Sequence, residues 1–209
     1  MGRLIILGEG SGIIGAMVVE VTSPADRLLA TAGRLFAAEG IRAVGIERLV
    51  TESAVARASL YQAFGSKDQL AAEYLRHQHE TDRRAWHVAS RRIAEPIGKV
   101  LLFFECAARA ARQRHYPGCL YINAAAEFPD RSHPVWLPID EHREWMRAAV
   151  AALLREAGVP QPDELAASIQ LLYDGGLSGS KATGSVDPIM RAQRLARTLI
   201  DREPADATE

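Results

Sequence analysis

The chain has 209 residues, is 48% hydrophobic and 24% charged, and carries a formal net charge of −1. That length supports one or two domains with a real hydrophobic core, and the balanced charge excludes a global pull toward nucleic acid or a membrane. Its two cysteines, Cys106 and Cys119, give no disulfide framework and read as small buried apolar residues.

Residues 1–22 contain Gly10-Ser-Gly12-Ile-Ile-Gly15 after an apolar run. A G-x-G-x-x-G turn lets backbone approach a pyrophosphate at a helix N-terminus, but it needs a following helix, a second strand and an acidic residue about twenty positions later. Here Ala16 to Val21 reads as strand or coil, and no strand–helix–strand pattern follows. A dinucleotide-binding enzyme is therefore the remote alternative. The apolar run is too short and too Gly-rich for a membrane span. It lacks the basic region and cleavage site of a signal peptide, so the expected location is the cytoplasm. Met17 is a natural start, which makes residues 1–16 an upstream extension or a tail.

Ser23-Pro24-Ala25-Asp26 reads as a helix start, with Ser23 as cap, Pro24 at the first position and Asp26 at the third. Leu28, Ala32, Leu35 and Phe36 recur at helical spacing, and Gly40 stops the helix. A second short helix spans roughly Ile46 to Glu52, with Ile46, Leu49 and Val50 inward. Ser53-Ala54-Val55 forms a tight break. A third helix runs from about Ala56 to Phe64, and its eight or nine residues span about 12 Å. That fits a DNA major groove about 12 Å wide. With Leu60 and Phe64 inward, Arg57, Ala58, Ser59, Tyr61 and Gln62 face outward or sideways.

On these residues the chain resembles the tetracycline-repressor (TetR) family of transcriptional regulators. The resemblance covers about Asp26 to Leu75. It rests on Ala32…Phe36-Ala-Ala-Glu39-Gly40, Leu49, Val55…Leu60-Tyr61…Phe64 and Ser66-Lys67…Leu70. It implies an all-α homodimer whose small N-terminal domain binds DNA and whose larger helical domain binds a small ligand and the partner subunit. Arg57, Ala58, Ser59 and Gln62 would lie nearest base edges. Tyr61 matches a position that touches backbone or a thymine methyl, and Lys67 one that meets a phosphate at a helix start.

Three positions depart from the family pattern. Ala54 sits where the turn usually has Gly, Ala56 replaces a Ser or Thr cap, and Ala63 replaces a His or Tyr that holds the DNA backbone. The stretch from Asp26 to Leu70 holds six basic and five acidic residues, a net of about +1, weak for a DNA-binding domain.

Beyond Leu70 the pattern predicts a long fourth helix from Gln69 to Ser90 and a fifth from Glu95 to His115. A sixth follows over Cys119–Glu127, then a Pro-rich loop over 129–138 and a seventh helix from Ile139 to Ala157. The last two run over Asp163–Ser180 and Asp187–Arg202, giving about nine in all. The expected domains are a flexible or mis-called extension at 1–22, 23–70 for DNA and 71–203 for ligand and dimer, with a tail at 204–209. Candidate ligand-binding residues are Phe103, Phe104, Cys119, Tyr121, Asn123, Trp136 and Trp145, because an apolar pocket with a few polar groups is what a small-molecule site looks like. Leu165, Ile169, Leu172, Tyr173, Gly176, Leu195 and Leu199 are the candidate dimer residues on the last two helices. The histidines show no metal spacing and read as solvated surface. No cofactor and no metal are expected. The partners are an operator DNA, a second copy and an unidentified small molecule. The leading expectation is a repressor released from a palindromic operator by that molecule. The alternative is a dimeric sensor with weak or lost DNA binding.

Overall fold

The computed structural model describes residues 23–112 and 116–202. Among these residues the backbone is all-α, with nine helices: α1 (Pro24–Glu39), α2 (Ile46–Ser53), α3 (Arg57–Phe64), α4 (Lys67–Ser90), α5 (Pro96–Ala111), α6 (Leu120–Glu127), α7 (Trp136–Glu156), α8 (Pro162–Thr183) and α9 (Asp187–Arg202). The glycine motif, the expected extension at 1–22, the expected end of the fifth helix at His115 and the tail at 204–209 lie outside the described residues. No helix among the described residues is long and apolar enough to cross a membrane.

The start of α1 is a complete capping box. Ser23 Oγ accepts from the Asp26 amide at 3.1 Å, and the Asp26 carboxylate accepts from the Ser23 amide at 3.0 Å. Leu28, Leu35 and Phe36 are buried along one face, and the helix stops at Gly40, whose φ of 89° a side chain would resist. Leu49 and Leu60 are fully buried and join α2 and α3 to this core. Phe36 meets Tyr74 of α4 edge-on at 5.7 Å. Gly33 leaves the room, since a Cβ there would lie 3.1 Å from the Tyr74 ring.

The inner stripe of α4 continues at helical spacing through Leu75, His79, Asp82 and Trp86, all buried. The histidines therefore correct the solvated reading: His79 is 6% and His142 4% exposed, because each falls on the inner stripe of its helix. Helix α7 starts three residues before the expected Ile139. Pro138 lies in its first turn, where a missing N–H costs nothing. Helix α8 extends past Ser180 to Thr183 and ends at Gly184 with φ 64°.

By internal contacts the chain falls into two units. One joins the described residues up to Asp82 with Leu120–Asp140, and the other joins Arg83–Cys119 with the described residues from Glu141. In the second unit Phe103, Phe104, Val150, Leu154, Ile169 and Ile189 are buried. Helices α8 and α9 pack closely, since a Cβ at Gly176 would lie 3.1 Å from the Ala192 Cβ and 3.2 Å from the Ile189 Cα.

Candidate nucleic-acid interface

Helices α2 and α3 meet at a short turn. Ala54 closes α2 in the left-handed region at φ 52°, and its amide donates toward Thr51 and Val50. The conformation costs an L-residue about 1–2 kcal/mol. Ala56 is the N-cap of α3 and supplies no side-chain hydrogen bond. The turn is therefore held by burial rather than by caps, with Val55 5% exposed and Leu60 fully buried beneath it.

With Leu60 inward, Arg57, Ala58, Tyr61, Gln62 and Ala63 are exposed, and Ser59 and Phe64 are half-buried. The outward residues form one face of an eight-residue helix. Tyr61 keeps 43% of its surface open despite its size.

The cations of this region are largely engaged within the chain. Arg57 Nη1 pairs with the Glu47 carboxylate, and Arg48 pairs with both Glu39 and Glu52. Arg34 pairs with Glu52 as well. Hydrogen bonds from Arg34 and Arg48 hold the Glu52 carboxyl below its usual range, so it stays ionised. Contact with Tyr61, then the charge of Glu47, raises Arg57 above its ordinary value. The near-neutral charge of the sequence thus appears in the fold as arginine–carboxylate pairing.

Lys67 opens α4, and Ser66 Oγ accepts from the Gln69 amide at 3.0 Å in the same turn. Burial lowers the Lys67 pKa, partly countered by the charges of Asp68 and Glu127. Its Nζ donates to the Arg42 carbonyl at 3.3 Å. Beside it a cleft of about 390 Å³ is lined by Arg42, Lys67, Asp68, Glu127 and His133 among others. His133 stacks on Phe128 at 4.1 Å and reaches Asp68 at 3.4 Å.

The candidate ligand residues fall in both units. In the second, Phe103 and Trp145 meet at 5.6 Å, and Trp86 stacks on Phe103 at 4.9 Å. His142 lies 5.6 Å from Trp145. The buried indole Nε1 of Trp86 has no hydrogen-bond partner among the described groups. Trp86 and His142 escaped sequence reasoning: Trp86 sits far along a charged helix, and His142 follows a Pro-rich stretch. Phe104 packs edge-on against Tyr173 at 5.4 Å, and Cys119 is half-buried. In the first unit Tyr121 donates to buried Asp82 at 3.2 Å, and Asn123 is half-buried. Trp136 donates from Nε1 to the Phe128 carbonyl at 3.0 Å, with Arg131 over its ring at 3.8 Å. Trp136 therefore pins the loop before α7.

The candidate dimer residues divide by exposure. Leu165, Ile169, Tyr173 and Gly176 are buried inside the single chain, Leu172 and Leu199 are half-buried, and Leu195 is 47% exposed. Leu171, which the apolar pattern did not single out, is 71% exposed one turn from exposed Gly175.

A short exposed helix seated on a preceding helix, with a larger helical region after it, defines by class a helix-turn-helix regulator of transcription. The family described as "Bacterial regulatory proteins, tetR family" matches residues 28–74, and "Tetracyclin repressor-like, C-terminal domain" matches residues 96–196. The chain is similar to SCO4454, a TetR-family transcriptional regulator from Streptomyces coelicolor. The two are 31% identical, with 85% of this chain and 97% of that one covered and a TM-score of 0.75. It is 28% identical over 130 residues to the HTH-type transcriptional regulator YjdC of Escherichia coli (strain K12), covering 62% of this chain and 67% of that one. It is 24% identical over 182 residues to the HTH-type transcriptional regulator LmrA of Bacillus subtilis (strain 168), covering 85% and 96%. The chain belongs to the TetR family. It is a DNA-binding transcriptional regulator and not an enzyme.

Proposed function

We propose that the protein is a cytoplasmic homodimeric repressor that holds a palindromic operator and releases it when a small molecule binds its C-terminal helices. The observation that carries the reading is the outward face of α3, where Arg57, Ala58, Tyr61 and Gln62 stand exposed over a buried Leu60. Arg57, Ser59 and Gln62 have the hydrogen-bonding groups for base edges, and Ala58 the methyl for a thymine. Tyr61 and Lys67 fix register on the phosphates. The division into a DNA-binding part at 23–70 and a ligand and dimer part at 71–203 belongs to this reading.

The exposed Leu171 and Leu195 support a second copy docking on α8 and α9. A two-fold pair then presents two α3 helices to half-sites about 34–36 Å apart or a multiple of that. The Trp86, Phe103 and Trp145 rings support an effector with an aromatic or apolar body, and the unpartnered Trp86 N–H supports an acceptor atom on it. By linkage the effector must favour the DNA-free state, and DNA must weaken its binding equally.

Selection of binding sequences from random DNA tests the reading. Enrichment of an inverted repeat, lost or altered in specificity with Arg57→Ala or Gln62→Ala, is the expected result. No enrichment favours the second reading, a dimeric sensor with weak DNA binding. The pairing of Arg34, Arg48 and Arg57 with carboxylates supports that alternative.

A further inference from the structure

Within the first unit, one carboxylate joins segments far apart in the chain. Glu127 is the last residue of the eight-residue helix α6. Its Oε1 accepts from the Ile41 amide at 3.1 Å and its Oε2 from the Arg42 amide at 2.7 Å, 86 and 85 residues away. Arg42 returns the contact, donating from Nη1 to the Glu127 carbonyl at 3.2 Å. Those amides belong to the loop between α1 and α2. An ionised acceptor makes such bonds shorter and stronger than neutral ones.

Gly40 shapes the seat for this carboxylate. A Cβ at Gly40 would lie 3.0 Å from Glu127 Oε1 and 3.3 Å from its Cδ. Position 40 therefore serves twice, ending α1 and admitting the carboxylate. The opposite end of α6 is tied as well. Tyr121 donates to Asp82 Oδ2 at 3.2 Å, and Gln78 of α4 donates to Asp82 Oδ1 at 2.9 Å. Ala124, between the two ties, is 1% exposed and leaves α6 no slack on that side. A helix this short moves as one rod, so whatever shifts its first turn also shifts Glu127.

We propose that Glu127 is a positioning residue that passes displacement of α6 directly into the loop between α1 and α2, and so into α2 and α3. The proposal rests on the reading of the chain as a ligand-controlled DNA binder and gives it a route parallel to α4. The bidentate contact suits this role. Hydrogen bonds of 2.7 and 3.1 Å weaken steeply when an acceptor moves by about 1 Å, so the loop must follow or let go.

Amide exchange measured by NMR on the full chain, without DNA or ligand, reads the contact directly. Glu127→Ala is expected to speed exchange of the Ile41 and Arg42 amides about tenfold or more, and Glu127→Gln, which keeps one carbonyl acceptor, by less. Transmission is read with Ala124→Leu, which forces α6 outward. It is expected to change exchange at Ile41, Arg42 and along α2 when Glu127 is present, and to leave α2 unchanged in the Glu127→Ala background. If Ala124→Leu does not fold, Tyr121→Phe frees the other end of α6 with little change in volume and serves the same comparison. Unchanged Ile41 and Arg42 exchange in Glu127→Ala overturns the proposal. So does an α6 substitution that acts on α2 equally with and without Glu127. Failure of the wild-type chain to select any DNA would sink the regulator reading while the exchange result stood, so the two fail separately.

Discussion

On the proposed reading, Ala54, Ala56 and Glu47 tune the turn between α2 and α3 residue by residue. Ala54 holds φ 52° without the freedom of a glycine. Ala54→Gly is expected to stabilise the protein by roughly 0.5–1 kcal/mol, the left-handed cost removed less the entropy of glycine. Ala56→Ser restores an oxygen acceptor at the uncapped start of α3 and is expected to add about 1 kcal/mol. Thermal unfolding checks both, and no gain from either would mean that the turn is better held than its geometry indicates. Glu47 pairs with Arg57 at the surface, with side-chain exposures of 75% and 54%. Glu47→Gln is expected to raise operator affinity on the order of threefold, since it frees the Arg57 guanidinium and removes a negative charge beside the proposed DNA contact. Titration of labelled operator at fixed salt reads this directly. Unchanged or weaker binding would show that Glu47 helps to position Arg57 rather than to restrain it.

At the scale of helices, the apolar periodicity of the sequence carried most of the fold. The buried Leu49 and Leu60 follow from it, and the Ser23–Asp26 box and the Gly40 stop from local cap signals. It failed where tertiary packing overrides local pattern. Pro138 reads as loop, yet it fits the first turn of α7. His79 and His142 read as surface because they are polar, yet their helical phase places them inward, as it does Asp82. Partners decide such cases, and Asp82 finds one in Gln78, four residues back on the same helix, and another in Tyr121, 39 residues away, which spacing cannot reveal. The outward set on α3 was legible because an eight-residue helix with Leu60 buried has one remaining face. The α8 and α9 pattern was ambiguous for the same reason in reverse: it marks apolar residues without saying which neighbour covers them. Gly176 and Ile169 are covered within the chain, whereas Leu171 and Leu195 are not. Leu171→Asp with Leu195→Asp is expected to shift the protein from dimer to monomer in light scattering at micromolar concentration. A dimer that survives both charges would place its interface elsewhere.

For the whole molecule, the central electrostatic fact is that Arg34, Arg48 and Arg57, in the unit proposed to meet DNA, are already paired with carboxylates. Binding affinity for B-DNA falls with salt at a slope near −0.9 per phosphate neutralised, so each arginine released onto a phosphate adds about one to that slope. Arg57 reads a base edge on the proposed reading, so Glu47→Gln is expected to leave the salt slope of operator binding nearly unchanged, measured across a salt series. A slope steeper by about one would place Arg57 on a phosphate. The pairing of Arg34, Arg48 and Arg57 with Glu52, Glu39 and Glu47 also bears on discrimination. A cation held by a carboxylate leaves it only for a better-placed acceptor. Arbitrary genomic DNA offers phosphates in loose register, while the operator offers them in fixed register together with base edges. On the proposed reading, internal pairing would weaken random encounters more than the correct one, so the regulator would spend less of its time parked on sequence it does not control.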